Sequence, residues 1–247
     1  MAEWMEDVYL GDANCKINEL AILSNENWSS KGKNDNAILK NYLRFTYKKL
    51  SEENKIIKTS EYAIFNTGLF TEYYEPIFVY LEPNAAGGKQ PYYLKRYLTP
   101  YDLGEMGINA SPERANYFEH PELLVFDAKC DINVQFKHIL SDKDNVERLP
   151  DSIKTAKNLQ LILMGAIDTM KKKVMANYKI AVPQYFNGKI QLLLPLCMSD
   201  PEIPDVALVV TKNAAGNYYQ GHTCLTLEMA YNNARLIAKP ESYWLQL

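Results

Sequence analysis

The chain lacks every short signature that would announce a reaction. It has no GxxxxGK[ST] or GxGxxG phosphate loop, no HExxH helix and no GxSxG turn. P-loop, dinucleotide, zincin and α/β-hydrolase chemistry therefore have no seat in it. Cysteine is sparse and scattered: Cys15, Cys130, Cys197 and Cys224 show no CxxC spacing. They read as reduced thiols rather than as a disulfide framework. His120, His138 and His222 also lack paired spacing, and no carboxylate pair stands out, so no metal site and no cofactor are expected. No apolar run reaches the roughly 18 residues of a membrane span. The opening stretch MAEWMEDVYLGD is acidic and carries no apolar segment of the secretory kind. A cytoplasmic location without membrane partners is the expectation. Positive charge is not in excess either: the net charge is −3, which excludes a basic coat while leaving room for a local basic groove.

What is present is tyrosine, 18 of them, in a chain of 247 residues that is 47% apolar. Rings with a polar tip suit half-buried sheet faces and stacking sites. No Pro/Gly/Ser-rich linker divides the sequence, so residues 1–247 read as a single domain. Its first part, 1–60, reads as helical, with Asn36 placed to cap a helix carrying Ile38, Leu39, Tyr42, Leu43, Phe45 and Leu50, mainly on one face. Strands are expected at 62–66, 76–82, 91–98, 131–138, 178–185, 189–197, 206–211 and 217–225. The echo Asn84-Ala85-Ala86-Gly87 and Asn213-Ala214-Ala215-Gly216 reads as two hairpin turns. Helices are expected at 151–177 and 226–238. The fold class implied is α+β. It has a largely antiparallel, mixed central sheet with hairpins, N-terminal helices, one long middle helix and a C-terminal helix packed on the sheet.

Four polar constellations remain. In FNTGL, Asn66 and Gly68 permit left-handed backbone and Thr67 offers a hydroxyl between them; an ordinary turn explains the same letters. His138, with the parity of Ile132, Val134 and Phe136, is a candidate acid/base group, and Arg148 offers a planar fork for phosphate. A core histidine and a loop ion pair are the plain alternatives. In YKIAVPQY, Lys179 needs a partner or a groove, and Gln184 follows a proline that marks an edge or bulge. In LEMAYNNARL, Glu228, Asn232 and Arg235 share a helical line. Two adjacent asparagines in mid-helix cost several tenths of a kcal/mol each relative to alanine, approximately. That cost points to specific hydrogen bonds: Asn232 toward a ligand, Asn233 as a clamp. Tyr231, Asn232 and Arg235 suit recognition of a base and a phosphate.

Taken together, FNTGL, His138-Ile139-Leu140 with Arg148 and Pro150, YKIAVPQY, LLLPL and LEMAYNNARLI-KP…WL resemble an uncharacterised family. It is the domain of unknown function numbered three-eight-two-five. The similarity runs from about the first helix to the C-terminus. Members resemble parts of larger proteins in which this domain sits beside cold-shock or LOTUS-type RNA-binding modules. That association implies RNA metabolism and no particular reaction, and it carries no catalytic assignment.

The expected function is an RNA- or nucleotide-binding domain whose residues fit metal-independent phosphodiester processing. His138 would be the acid/base. Arg148, Lys179 and Arg235 would be phosphate ligands. Asn66, Thr67, Gln184, Tyr231 and Asn232 would be recognition groups. A non-catalytic interaction module and an enzyme acting on a free nucleotide or nucleotide-derived signal are the alternatives. The sequence leaves oligomeric state open.

Overall fold

The computed structural model describes residues 4–30, 32–85 and 88–246. The chain is α+β, with its strands distributed over two five-stranded mixed sheets. Its contacts group into two compact units, residues 1–116 and 117–247.

In the first unit, α1 (Trp4–Asp7), β1 (Val8–Tyr9), α2 (Ala13–Leu23) and α3 (Ala37–Glu52) precede the strands. The strands are β2 (Ile57–Lys58), β3 (Ala63–Phe70), β4 (Pro76–Pro83) and β5 (Tyr92–Leu98), followed by α4 (Pro100–Glu105). The sheet order is β1-β5-β4-β3-β2, with β1 parallel to β5 and the other pairs antiparallel. Helix α3 places Ile38, Leu39, Tyr42, Leu43, Tyr47 and Leu50 on its buried face, as the helical spacing requires. Asn36 does stand at its N-cap, but in the left-handed region (φ 46°) and without a side-chain cap. The β4–β5 connection begins at Asn84, whose N–H donates to the Pro91 carbonyl; Ala86 and Gly87 of the first echo lie outside the described residues.

The FNTGL stretch lies inside β3, where the register slips between Asn66 and Phe70. Gly68 sits at φ +77°, a conformation that costs a residue with a Cβ about 1–2 kcal/mol.

In the second unit, β6 (Asp131–Val134) is followed by α5 (Phe136–Ser141), α6 (Lys143–Glu147), α7 (Asp151–Lys154) and α8 (Leu159–Ala176). Then come β7 (Val182–Phe186), β8 (Lys189–Leu196), β9 (Val206–Lys212), β10 (Tyr218–Leu225) and α9 (Leu227–Ala234). The sheet order is β6-β10-β9-β8-β7, parallel only between β6 and β10. The runs QLLLPL and VALVV lie on β8 and β9, each paired on both sides, which suits strands apolar on both faces. Asn213–Gly216 closes the β9–β10 hairpin, with Gly216 at φ +72°. Helix α8 packs on β8, while α9 packs on β7, β9 and β10.

Four expected elements are shortened or broken, among them the helix expected over 226–238, which ends at Ala234. The strand at 131–138 stops at Val134, because Phe136, Ile139 and Leu140 follow at helical spacing and Ile139 is buried in α5. The helix expected over 151–177 divides into α7 and α8; the Thr155 hydroxyl donates to the Asp151 carbonyl and ends the first turn. The strand at 178–185 begins only at Val182. Residues 178–180 form a 3-10 turn, in which the Asn177 side chain accepts from the Lys179 N–H.

Candidate functional site

Strand β7 is the edge of its sheet, and Pro183 lies on it, where a missing N–H costs least. The chain after α9 returns to this edge. Its anchor is Trp244, 5% exposed, whose Nε1 donates to the Ile180 carbonyl at 2.8 Å. Ser242 Oγ donates to the Lys179 carbonyl, also at 2.8 Å. Between the strand, the end of α9 and this returning segment lies a cavity of about 380 Å³. Its walls are Ala181, Val182, Pro183, Ala234, Ile237, Ala238 and Pro240, and its polar rim is Lys179, Lys239, Glu241 and Ser242. The two ammonium groups have no carboxylate in ion-pair reach among the described residues. The rim is therefore net positive by one charge, against an apolar floor. Such a cavity falls at the small end of ligand sites, which run roughly 300–1,000 Å³.

YKIAVPQY and LEMAYNNARLIAKPES thus meet at one place, and Lys179 is the predicted residue that reaches it. It is exposed on a 3-10 turn rather than alternating along a strand.

Gln184 is buried at 1% exposure and is spent internally. Its Oε1 accepts from Asn233 Nδ2 at 3.1 Å, and its Nε2 donates to Gln191 Oε1 at 2.9 Å. Gln191 Nε2 donates in turn to Thr211 Oγ1 at 3.0 Å. The recognition role expected of Gln184 gives way to a clamp between α9 and the sheet. Asn233 is the structural member of the asparagine pair.

Asn232 turns its Nδ2 back onto the Glu228 carbonyl at 3.1 Å, and its Oδ1 is buried and accepts no hydrogen bond among the described residues. Tyr231 and Arg235 are each 6% exposed. A ring so covered presents no face for stacking, which corrects the role expected of Tyr231. Arg235 is the C-cap of α9, adjacent in sequence to the cavity residue Ala234.

Arg148 lies at the other side of the sheet order, against β10. Its Nη1 donates to the Cys224 carbonyl at 2.8 Å and to Asn145 Oδ1 and Thr223 Oγ1, each at 3.3 Å. Asn145, 1% exposed, also accepts from the Cys224 N–H at 3.2 Å. One nitrogen of the fork expected to hold phosphate, Nη1, is thus engaged in pinning α6 to β10. Burial pushes the neighbouring Cys224 thiol up to about 12, so it is no thiolate nucleophile near neutrality. His138 falls in α5; its side chain lies outside the described residues.

Asn66 and Thr67 belong to the first unit and are saturated there. Asn66 Nδ2 donates to the Pro112 carbonyl at 3.1 Å and its Oδ1 accepts from the Gly68 N–H at 2.8 Å. The Thr67 hydroxyl donates to the Ile77 carbonyl at 2.7 Å and accepts from the Leu69 N–H at 3.1 Å. Both are buried, at 6% and 0% exposure. They fasten a bulge rather than present a recognition edge.

Sequence reasoning passed over Lys239, Glu241 and Ser242. The available signal was Pro240, which forbids further helix after Lys239 and turns the chain back toward its anchor at Trp244. Among the described residues no cluster of three or more His, Cys, Asp or Glu is placed to hold a metal ion. No helix is long and apolar enough to cross a membrane, again among the described residues.

Residues 20–244 match the family described as a domain of unknown function (DUF3825), a span that runs through both units. No curated protein and no solved structure matches the chain.

Proposed function

We propose, from the premise that this chain belongs to the DUF3825 family, that it is an RNA- or nucleotide-binding domain whose cavity beside β7 takes one nucleotide unit. The observation that carries the reading is the pairing of Lys179 and Lys239 on the rim of one small apolar cavity. A phosphate fits between two ammonium groups that lack carboxylate partners. Glu241 and Ser242 supply an acceptor and a hydroxyl at the same rim, suited to sugar hydroxyls. The apolar walls suit the face of a base. Two phosphate-facing lysines agree with a chain of net charge −3 that binds a short unit rather than a long nucleic-acid tract.

Arg148, Gln184 and Asn233 acting as clamps favour binding as the primary activity. Phosphodiester cleavage would add a role for His138, the acid/base candidate on α5. Calorimetric titration with the four nucleoside monophosphates and short RNA oligomers, followed by product analysis, tests both. A charge-assisted hydrogen bond from one lysine to phosphate is worth about 1.5 kcal/mol, so Lys179→Ala/Lys239→Ala should weaken binding by roughly 100-fold. Equal affinity in wild type and variant would remove the cavity from the function. Product that disappears in His138→Ala, with affinity retained, would establish the cleavage reading.

A further inference from the structure

The strand register places two rows of side chains on one face of the second sheet. Gln184 is opposite Gln191 on β8, and Gln191 bonds Thr211 on β9. Thr211 is opposite Gln220 on β10, and Gln220 is opposite Asn133 on β6. One neutral hydrogen-bonding residue from each of the five strands thus forms a line across the sheet. The next row outward carries Phe186 opposite Lys189, and Tyr218 opposite Asp131. Inward from both rows the same face is closed, since Val182, Leu193 and Val209 are buried. Outward it is open: Phe186 is 46% exposed, Lys189 and Asn133 are exposed, and Gln191, Thr211, Tyr218 and Gln220 are half-buried.

Facing residues on a sheet can stabilise each other as opposite charges or through hydrogen bonds, and the inner row here uses neutral amides and a hydroxyl. The amides run one way, each donating to the next from Asn233 to Thr211. That chain holds the Thr211 hydroxyl in place with its hydrogen uncommitted. The Gln220 carbonyl oxygen, whose amide nitrogen is tied to the Gly221 carbonyl, and the whole Asn133 side chain have no partner among the described residues. The ionised groups in the two rows are Lys189, which lacks an ion-pair partner among the described residues, and Asp131, which is paired with Lys171. With Lys171 counted beside Asp131, the patch carries one positive charge in excess on a negatively charged chain.

We infer that this face is a second binding surface, for the unpaired bases and one phosphate of a short single-stranded RNA. Phe186 and Tyr218 would offer rings for stacking, the amide row would face base edges, and Lys189 would meet phosphate. The inference rests on the nucleotide reading of the cavity. Val182, which lines that cavity, is on β7 four residues from Phe186. At about 3.3 Å per residue the two are roughly 13 Å apart.

The test compares a nucleoside monophosphate with an RNA tetranucleotide on the full chain, for wild type and for Phe186→Ala/Lys189→Ala. Both positions are exposed, and Lys189→Glu alone serves if the double variant melts early. The tetranucleotide should bind wild type at least tenfold more tightly than the monophosphate does. The double variant should lose that advantage while retaining monophosphate affinity. Equal affinity for both ligands in wild type, or a tetranucleotide affinity untouched by either variant, overturns the inference and leaves the cavity standing. A monophosphate that fails to bind, with a tetranucleotide that depends on Phe186 and Lys189, overturns the cavity and keeps this surface.

Discussion

Replacing Gln184 with leucine isolates the clamp that joins the last helix to the sheet. Gln184 is 1% exposed and makes two side-chain hydrogen bonds, from Asn233 at 3.1 Å and to Gln191 at 2.9 Å. Leucine fills similar space and makes neither. The Asn233 N–H and the Gln191 carbonyl oxygen then lose their partners, at about 1–3 kcal/mol each when fully buried. Both residues are half-buried, so water rescues part of the loss. The net cost should be roughly 2 kcal/mol. Removing the second partner sharpens the test. In Gln184→Leu/Asn233→Leu the orphaned donor on α9 is gone as well, so the double variant should cost about 1 kcal/mol less than the sum of the singles. Urea unfolding of the full chain, followed by circular dichroism, reads all four corners of the cycle. A Gln184→Leu change smaller than about 0.5 kcal/mol, or strict additivity, would refute the clamp.

Three further outcomes follow from the same reasoning. Arg148→Lys keeps the charge but replaces the planar guanidinium, whose Nη1 meets the Cys224 carbonyl, Thr223 and Asn145, with an ammonium on a stem of different length and geometry. It should destabilise the chain by about 1–2 kcal/mol and leave monophosphate affinity unchanged; the reverse pattern would make Arg148 a phosphate ligand after all. Trp244→Phe retains a ring but orphans the buried Ile180 carbonyl. It should cost roughly 1–2 kcal/mol and weaken monophosphate binding, because it frees the wall that carries Lys239 and Ser242. In the first unit, burial pushes the Glu53 carboxyl up, but hydrogen bonds from Lys49, Lys55 and the Asn116 N–H outweigh this and hold it below its ordinary 4.5. A depressed carboxyl contributes stability above its unfolded value and loses it as pH falls through the folded one. Wild-type unfolding free energy should therefore fall more steeply below pH 4.5 than that of Glu53→Gln, measured by urea titration at stepped pH.

The letters carried the class of fold and most elements, because periodicity is local. The apolar stripe of α3, the two-sided runs of β8 and β9, and the Asn213–Gly216 turn all follow from spacing alone. What failed was local competition. Thr155 broke a helix by bonding its own backbone, and Asn177 started a 3-10 turn where alternation suggested strand. Residue roles were less legible than elements. Asn66, Thr67, Gln184 and Arg148 have the right chemistry for ligands, but whether such groups are spent depends on partners distant in sequence, such as Pro112, Asn233 and Cys224. Lys239 gave no signal of its own. Only the return of the chain to Ile180 brings it beside Lys179. Of the division expected of the asparagine pair, the clamp at Asn233 is observed, whereas Asn232 bonds the Glu228 carbonyl of its own helix.

The central claim is that Lys179 and Lys239 together hold one phosphate. The salt dependence of binding reports such ion pairs directly, because salt screens charge pairs at a surface. A dinucleoside monophosphate, which carries one phosphate, titrated against wild type at stepped salt should lose affinity as salt rises, giving a negative slope of log affinity against log salt concentration. Lys179→Ala/Lys239→Ala should bring that slope close to zero while weakening affinity at low salt. A slope and affinity unchanged by the double substitution would contradict the account.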